Sequence, residues 1–373
     1  MSNGKIGVAI VGCGYWGVNY VRVFSELANA RVAVVCDQRQ ERLDEIRRRF
    51  PSVAVATDLQ VALSRDDVDA AVICTGATTH YALARQCLEA GKHIMIEKPM
   101  TTTSADGERL NALAWERDRI LMVGHTFVYN TAVHKVKESL EGVGEVYYLY
   151  SRRTNMGPIR PDVNALWDLA PHDVSIFNYW LGSSPEWVSA VGARVLHNGH
   201  EDVGFVSLHY PGGIVGNIHV SWADPAKVRE LVVVGSKQRI VFNDLNASEP
   251  VRVYHKGVAV VDHDSEASFA EHQLTMRDGD IVSPRVAVTE PLKTECNHFI
   301  DCVLSHKPPL TGGKEGLDVV RVMEAIDESL AHNGAPAYLK PLALAPTVKP
   351  TLIKSVQPVP THPIEQPAKE LVS

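Results

Sequence analysis

No apolar run in this chain approaches the ~20 residues that a bilayer-crossing helix requires. Positive charge is also scarce. In 373 residues, 37 Lys and Arg face 44 Asp and Glu, and the net charge of −7 offers neither nucleic acid nor an anionic membrane an electrostatic attraction. Cysteine is sparse and unpaired: Cys13, Cys36, Cys74, Cys87, Cys296 and Cys302 stand singly, with no CxxC. That spacing argues against a disulfide framework or a zinc site and for buried, reduced thiols in a cytoplasmic protein. Met1 to Ile6 carries no long apolar stretch before the first strand, so no secretory leader is expected. What is present is ordinary globular composition, 45% apolar and 22% charged, at a length suited to two domains.

The first third alternates strand-like and helix-like runs. IGVAIV from Ile6, RVAVVC from Arg31, VDAAVIC from Val68, the run at His93 to Ile96 and that at Ile120 to Gly124 read as strands. Helical patterns fall between them, at Trp16 to Leu27, His80 to Ala90 and Ala105 to Glu116. The alternation predicts a doubly wound parallel sheet, an α/β nucleotide-binding domain over residues 1–125. From Val146 to Tyr254, β-rich runs separated by short turns such as Pro211-Gly212-Gly213 predict a large, mostly antiparallel open sheet built through hairpins. Helices are expected at Thr131 to Glu141, Pro171 to Trp180, Thr294 to Leu304 and Gly316 to His332, completing a second α/β domain over 126–340. Residues 341–373 read as a Pro-rich tail.

Gly12-Cys13-Gly14-Tyr15-Trp16-Gly17 is a GxGxxG between a predicted strand and a predicted helix. The first glycine suits the tight turn, the second lets backbone approach a pyrophosphate, and the third permits close helix–strand packing. The helix N-terminus then presents N–H groups and partial positive charge to the anion. Asp37 ends the second strand about twenty residues on, where a carboxylate can hydrogen-bond an adenosine ribose. This favours NAD, while Arg39 and Arg42 nearby leave NADP open.

Glu97-Lys98-Pro99 closes an apolar strand, at the carboxyl edge where doubly wound sheets bind ligands. Pro99 allows a cis peptide bond. Lys98 there could hold a substrate oxygen while charge develops on it, although a lysine at a strand end is by itself more often a surface charge. Asp168 and His172 are four apart and share one face of a helical turn. Oxidising a hydroxyl needs a proton acceptor active near neutrality, which imidazole supplies. An isolated DxxxH is by itself more often a helix-capping aspartate and a packed histidine. Between these segments, Arg152 to Arg160 offers guanidinium and amide donors suited to phosphate, carboxylate or several hydroxyls.

In their order and spacing, GxGxxG, Glu97-Lys98-Pro99 and Asp168-xxx-His172 resemble the glucose–fructose oxidoreductase and inositol dehydrogenase family (Gfo/Idh/MocA) over about residues 5–335. Cys74-Thr75-Gly76 with Thr79-His80, Val123-Gly124-His125, and Gly142-Val143-Gly144-Glu145-Val146 agree with it. The resemblance implies an NAD(P)-dependent oxidoreductase that moves a hydride to or from a sugar-like alcohol, with no metal and with oligomer contacts, dimeric or tetrameric, through the open sheet. Lys98 and His172 would assist proton transfer and Asp168 would contact substrate. Gly12, Gly14, Tyr15, Trp16, Gly17, Asp37, Thr75, His80, Glu97 and Lys98 are the candidate cofactor contacts. His125, Arg153 and Asn155 join Lys98, Asp168 and His172 as candidate substrate contacts, His125 reading equally as a packed junction residue. Asn164 to Ile176 and Ser221 to Arg229 look like family members of nucleotide-sugar and surface-polysaccharide pathways, with UDP-N-acetylglucosamine 3-dehydrogenase as the nearest named activity. A dehydrogenase of a free polyol or sugar is the alternative of the same class. A regulator that binds cofactor without catalysis is the alternative of another, though it would have no chemical need for Lys98, Asp168 and His172 together.

Overall fold

Both faces of the first sheet are buried, and its strand sequences show why. β1 (Ile6–Val11), β2 (Ala30–Cys36), β3 (Ala54–Ala56), β4 (Ala70–Ile73), β5 (His93–Glu97) and β6 (Leu121–Gly124) run parallel in the order β3-β2-β1-β4-β5-β6. They are connected through α1 (Tyr15–Glu26), α2 (Gln40–Arg49), α3 (Leu59–Leu63), α4 (His80–Glu89) and α5 (Ser104–Glu116). Successive side chains on a strand point to opposite faces. Val8 and Ile10 accordingly enter one core with Tyr20 and Phe24 of α1, while Ala9 and Val11 enter another with Ala84 and Leu88 of α4. The order reverses between β1 and β4, which creates a crevice at the carboxyl ends of those strands. The structure, a computed structural model, describes residues 4–157, 159–160, 163–196, 199–260 and 274–339; the tail expected over 341–373 lies outside them.

The second sheet is larger and mixed. β7 (Val146–Thr154), β8 (Trp187–Ala193), β9 (Val203–His209), β10 (Val215–Ser221), β11 (Val228–Gly235), β12 (Arg239–Asn243) and β13 (Val251–Tyr254) supply most of it. β14 (Gly257–Val260) and β15 (Leu274–Arg277) pair as a separate ribbon, and β16 (Ile281–Val282) and β17 (Ala337–Tyr338) close the two edges. The order is β16-β13-β12-β11-β7-β10-β9-β8-β17. Most pairs are antiparallel as expected, but β7 and β10, at the centre, pair in parallel. A parallel pair needs a long crossover rather than a hairpin, and the chain between them supplies one that includes a helix.

That helix, α7 (Ala165–Leu181), lies with α6 (Thr131–Ser139) over one face of the sheet, where Leu149, Val206, Leu208, Ile218 and Val220 meet Val133, Leu166, Val174 and Phe177. It starts at Ala165 rather than at Pro171, as the sequence suggested, because the Asn164 side chain caps it by accepting the Trp167 N–H at 2.9 Å. Pro171 lies inside the helix, and Gly182, at φ 68°, ends it. The other face of the sheet presents Tyr148, Val191 and Phe205 to solvent.

The last two helices serve both sheets. α8 (Pro291–Ser305) returns to the first sheet and buries Phe299, Ile300 and Val303 with α1. α9 (Gly313–Ala331) is two-sided: Leu317 and Val320 join the first sheet's core, whereas Val319, Val322, Met323 and Ile326 join the second's. Among the described residues, no helix is long and apolar enough to cross a membrane. The six thiols are free.

Candidate active site

The glycine-rich turn is shaped by what its glycines lack. Gly12 sits at φ +91°, and a Cβ there would come 2.7 Å from Thr75 Cγ2. A Cβ at Gly17 would collide with the Gly12 carbonyl oxygen. Gly14 is different: no protein atom lies within 4 Å of its Cβ position. α1 starts there with no side-chain cap and no acidic residue in its first turn, so its first N–H groups remain available to an anion. Tyr15 and Trp16, packed edge to face at 5.7 Å, stand exposed beside the turn.

Asp37 reaches the same turn from the end of β2. Its carboxylate accepts the Cys13 N–H at 2.7 Å and the Arg39 N–H at 2.9 Å, and Arg39 Nε adds a bond at 3.2 Å. Burial alone would raise this carboxyl, but the bonds from Arg39 and Cys13 outweigh it and hold it below the usual carboxylate range. Arg39 Nη2 adds a fourth bond at 3.4 Å, so the four acceptor directions are filled, and the exposed Arg39 side chain is the donor that ribose hydroxyls would displace. The open space at Gly14, the uncapped helix end and the acid at 37 together fit a dinucleotide.

Farther along the carboxyl edge, Thr75 follows β4, with its hydroxyl 2.7 Å from Thr79 Oγ1. His80, expected at the cofactor, is instead buried, with Nδ1 2.7 Å from Pro99 O and Nε2 3.2 Å from Thr75 O. It ties the loop after β4 to the segment after β5. Glu97 is also internal: it accepts the Tyr20 hydroxyl at 2.7 Å and the Lys98 N–H at 3.1 Å, and burial raises its carboxyl. The Lys98–Pro99 bond is cis.

Lys98 crosses from the first sheet to α7. Its Nζ donates to the Asp168 carbonyl at 2.6 Å and lies 3.5 Å from Asp168 Oδ1. Burial pulls the ammonium below its ordinary range, against the opposing charges of Asp168 and Glu97. Asp168 also takes Arg160 Nη1 at 3.2 Å and Trp222 Nε1 at 3.3 Å. One helical turn on, His172 packs edge to face on Phe127 at 4.9 Å, and its Nδ1 is buried without a hydrogen-bond partner. Burial drives this imidazole well below its ordinary range, and Lys98, Arg153, His125 and Arg229 push in the same direction. It is held neutral, able to accept a proton. His125, at the end of β6, is buried, has no partner on either ring nitrogen and is pushed down to about 3 by burial and by Lys98.

The two remaining candidates are placed differently. Arg153 lies on the covered face of β7, where Asp173 Oδ1 accepts from Nη2 at 2.7 Å and from Nε at 3.1 Å. Its guanidinium stacks over Phe127 at 4.4 Å, on the ring that His172 packs against, and its Nε and Nη2 are taken by Asp173. Asn155, just past β7, keeps a buried Oδ1 with no partner. The arginine that does reach the cluster is Arg160, which lay within the flagged Arg152–Arg160 run without being singled out. Strand alternation carried a signal: Leu149, Ser151 and Arg153 share the covered face. Phe127 and Trp222 carried no chemical signature of their own, and only packing brings them to the site.

Comparison with known proteins accounts for both halves of the chain. Residues 6–125 match the family described as an oxidoreductase family with an NAD-binding Rossmann fold, and residues 141–241 match the GFO/IDH/MocA C-terminal domain. UDP-N-acetylglucosamine 3-dehydrogenase of Acidithiobacillus ferrooxidans is 26% identical over 326 residues, 83% of this chain and 93% of the relative. Myo-inositol 2-dehydrogenase of Thermotoga maritima is 25% identical, covering 87% and 96%. GenD2 from gentamicin A biosynthesis, solved in complex with NAD, superposes with a TM-score of 0.76 at 24% identity, covering 91% of this chain and 98% of that one. With the nucleotide turn in the first matched region and Lys98 reaching across to a helix of the second, this protein is an NAD-dependent oxidoreductase of the Gfo/Idh/MocA family.

Proposed function

We propose that this enzyme oxidises a secondary hydroxyl of a nucleotide sugar, or reduces the corresponding ketone, as a UDP-N-acetylglucosamine 3-dehydrogenase does. The observation that carries this reading is the convergence of a buried lysine, its aspartate partner and a neutral histidine on one helix face at the carboxyl edge of the first sheet. The nicotinamide, when bound, supplies the hydride acceptor or donor, and Gly12, Gly14, Gly17 and Asp37 are the residues that would hold its dinucleotide. Lys98 Nζ orients the substrate oxygen and stabilises the charge that develops on it, an effect amplified where water is excluded. His172 takes the hydroxyl proton. Asp168 holds Lys98 in place and, with Arg160, offers further contacts to neighbouring hydroxyls.

The nucleotide-sugar assignment draws its support from the relative in Acidithiobacillus ferrooxidans, which is matched along 93% of its length. The relative in Thermotoga maritima favours a free polyol as the second reading. Incubation with NAD and, separately, UDP-N-acetylglucosamine, myo-inositol and glucose, followed at the nicotinamide absorbance, tests both. Reduced cofactor with the nucleotide sugar alone is the expected result, and turnover only with inositol would replace the first reading by the second. We place the enzyme in the cytoplasm as a homo-oligomer, joined through the outer sheet face that carries Tyr148, Val191 and Phe205. Sedimentation as a monomer would remove that assembly.

A further inference from the structure

β5 ends on Glu97, and the next residue is Lys98. The Glu97 carboxylate uses its two oxygens in two directions. Oε2 accepts the Lys98 N–H at 3.1 Å, and Oε1 accepts the Tyr20 hydroxyl at 2.7 Å. Tyr20 lies on α1, the helix that starts at the glycine-rich turn, and is fully buried, with its ring stacked on Phe24 at 6.3 Å. One carboxylate thus ties the helix facing the dinucleotide to the backbone from which the Lys98 side chain leaves for Asp168. β6 makes room for this tie. Gly124 pairs with Glu97 across the sheet, and a Cβ on it would come 3.3 Å from the Tyr20 hydroxyl and 3.4 Å from Glu97 Cα.

The bond from Tyr20 has the length of a hydroxyl donating to an ionised carboxylate. Burial raises Glu97, while the Tyr20 hydroxyl, the Lys98 ammonium and N–H, and Arg160 favour its charged form. Glu295, a second buried carboxyl on α8, is supplied differently. Its Oε2 takes the Thr126 hydroxyl at 2.8 Å and its Oε1 has no partner, and burial raises it well above the usual range. Of the two, Glu97 is the one built to hold a negative charge, and that charge helps to keep Lys98 protonated against burial.

We infer that Tyr20 is a positioning residue of the active site, fixing through Glu97 the segment that carries Lys98 relative to the helix that faces the dinucleotide. Enclosed in the core, it acts through Glu97 and touches no reacting atom. A displacement of about 1 Å at a catalytic group can cost about 10²-fold in rate, so a tie that holds Lys98 in register with α1 bears on turnover. The inference rests on the assignment of Lys98 to the substrate oxygen.

The test compares the full chain with Tyr20→Phe, which keeps the ring and its packing on Phe24 and removes the hydroxyl alone. Turnover is measured with NAD and UDP-N-acetylglucosamine, or whichever substrate of the panel is turned over. The Glu97 carboxyl is titrated by NMR in chain labelled with ¹³C-glutamate, its resonance identified by its absence from Glu97→Gln. Tyr20→Phe is expected to lower kcat by about tenfold to a hundredfold, with the KM for NAD within about twofold of the parent. The Glu97 titration should move to higher pH, because the lost hydroxyl bond favours the ionised form. Glu97→Gln, which interrupts the same tie from its other end, should lower kcat comparably, and the double variant should lose little beyond either single change. Parent kcat in Tyr20→Phe would overturn the inference, whether or not the titration moves. A lower melting temperature with kcat and titration both unchanged would show a packing role and equally remove it. Losses that multiply in the double variant would mean that Tyr20 and Glu97 act separately, with the same result. Turnover retained in Lys98→Met would overturn the assignment beneath, whereas the Glu97 titration reads the Tyr20 bond independently of it.

Discussion

The nucleotide turn and the cluster around Lys98 lie on the same sheet edge but are built on opposite principles. At the turn, function rests on backbone and on missing side chains: Gly14 faces open space and α1 starts without a cap. At the cluster it rests on side chains packed away from water, Lys98 against Asp168 and His172 against Phe127. The first kind of site gains affinity from what has been left empty. The second is tuned by desolvation, which depresses both Lys98 and His172 and keeps the imidazole neutral. Substitutions should therefore separate binding from chemistry along this line.

The largest separation is expected at the cluster. His172→Ala and Lys98→Met should each lower kcat by about 10²–10⁴-fold while NADH affinity, read by fluorescence titration, stays within twofold of the parent, roughly 0.4 kcal/mol. Equal loss of both would dissolve the contrast. Next comes Arg153, whose role is support. Arg153→Met strands the Asp173 charge inside the protein and should cost about 3–5 kcal/mol in denaturant unfolding, with the paired change Arg153→Met, Asp173→Leu recovering much of it.

The turn itself sharpens the comparison, because its glycines do different things. Gly17→Ala forces a Cβ against the Gly12 carbonyl and should destabilise the chain by about 1–3 kcal/mol. Gly14→Ala meets no protein atom, so its melting temperature should hold while NAD affinity falls about tenfold, or about 1.4 kcal/mol. A last effect is one of pH. His125 is held neutral in the folded chain down to about 3, against 6.5 for the free group, so between those values the unfolded chain binds the extra proton. The stability that is present above 6.5 is then lost as the pH falls, by up to about 1.4 kcal/mol per unit from this group. Acid unfolding of His125→Phe should show a shallower slope, and an identical slope would remove His125 from the acid response.

Local patterns made the nucleotide turn readable. A continuous apolar strand, three glycines at fixed spacing and an acid at the end of the next strand all act within one strand–helix–strand unit, so neighbours in sequence are neighbours in space. β3 was missed because three residues, Ala54–Ala56, carry no usable period. The start of α7 was read late because Pro171 looks like a first-turn residue, whereas the Asn164 cap decides the matter six residues earlier. Arg153 was named as a substrate contact because its charge was weighed and its strand face was not.

The sequence by itself determined the alternation of strands and helices, the dinucleotide turn, and the presence of a lysine and a histidine with the chemistry of hydride transfer, since each depends on short-range spacing. Only tertiary structure decided that Asp168 takes the Lys98 ammonium, that Arg160 rather than Arg153 joins them, and that His125 lies buried on the wall of a cavity. Those contacts join residues tens of positions apart, and which side chains meet is set by how two sheets and the shared helix α9 pack their apolar faces.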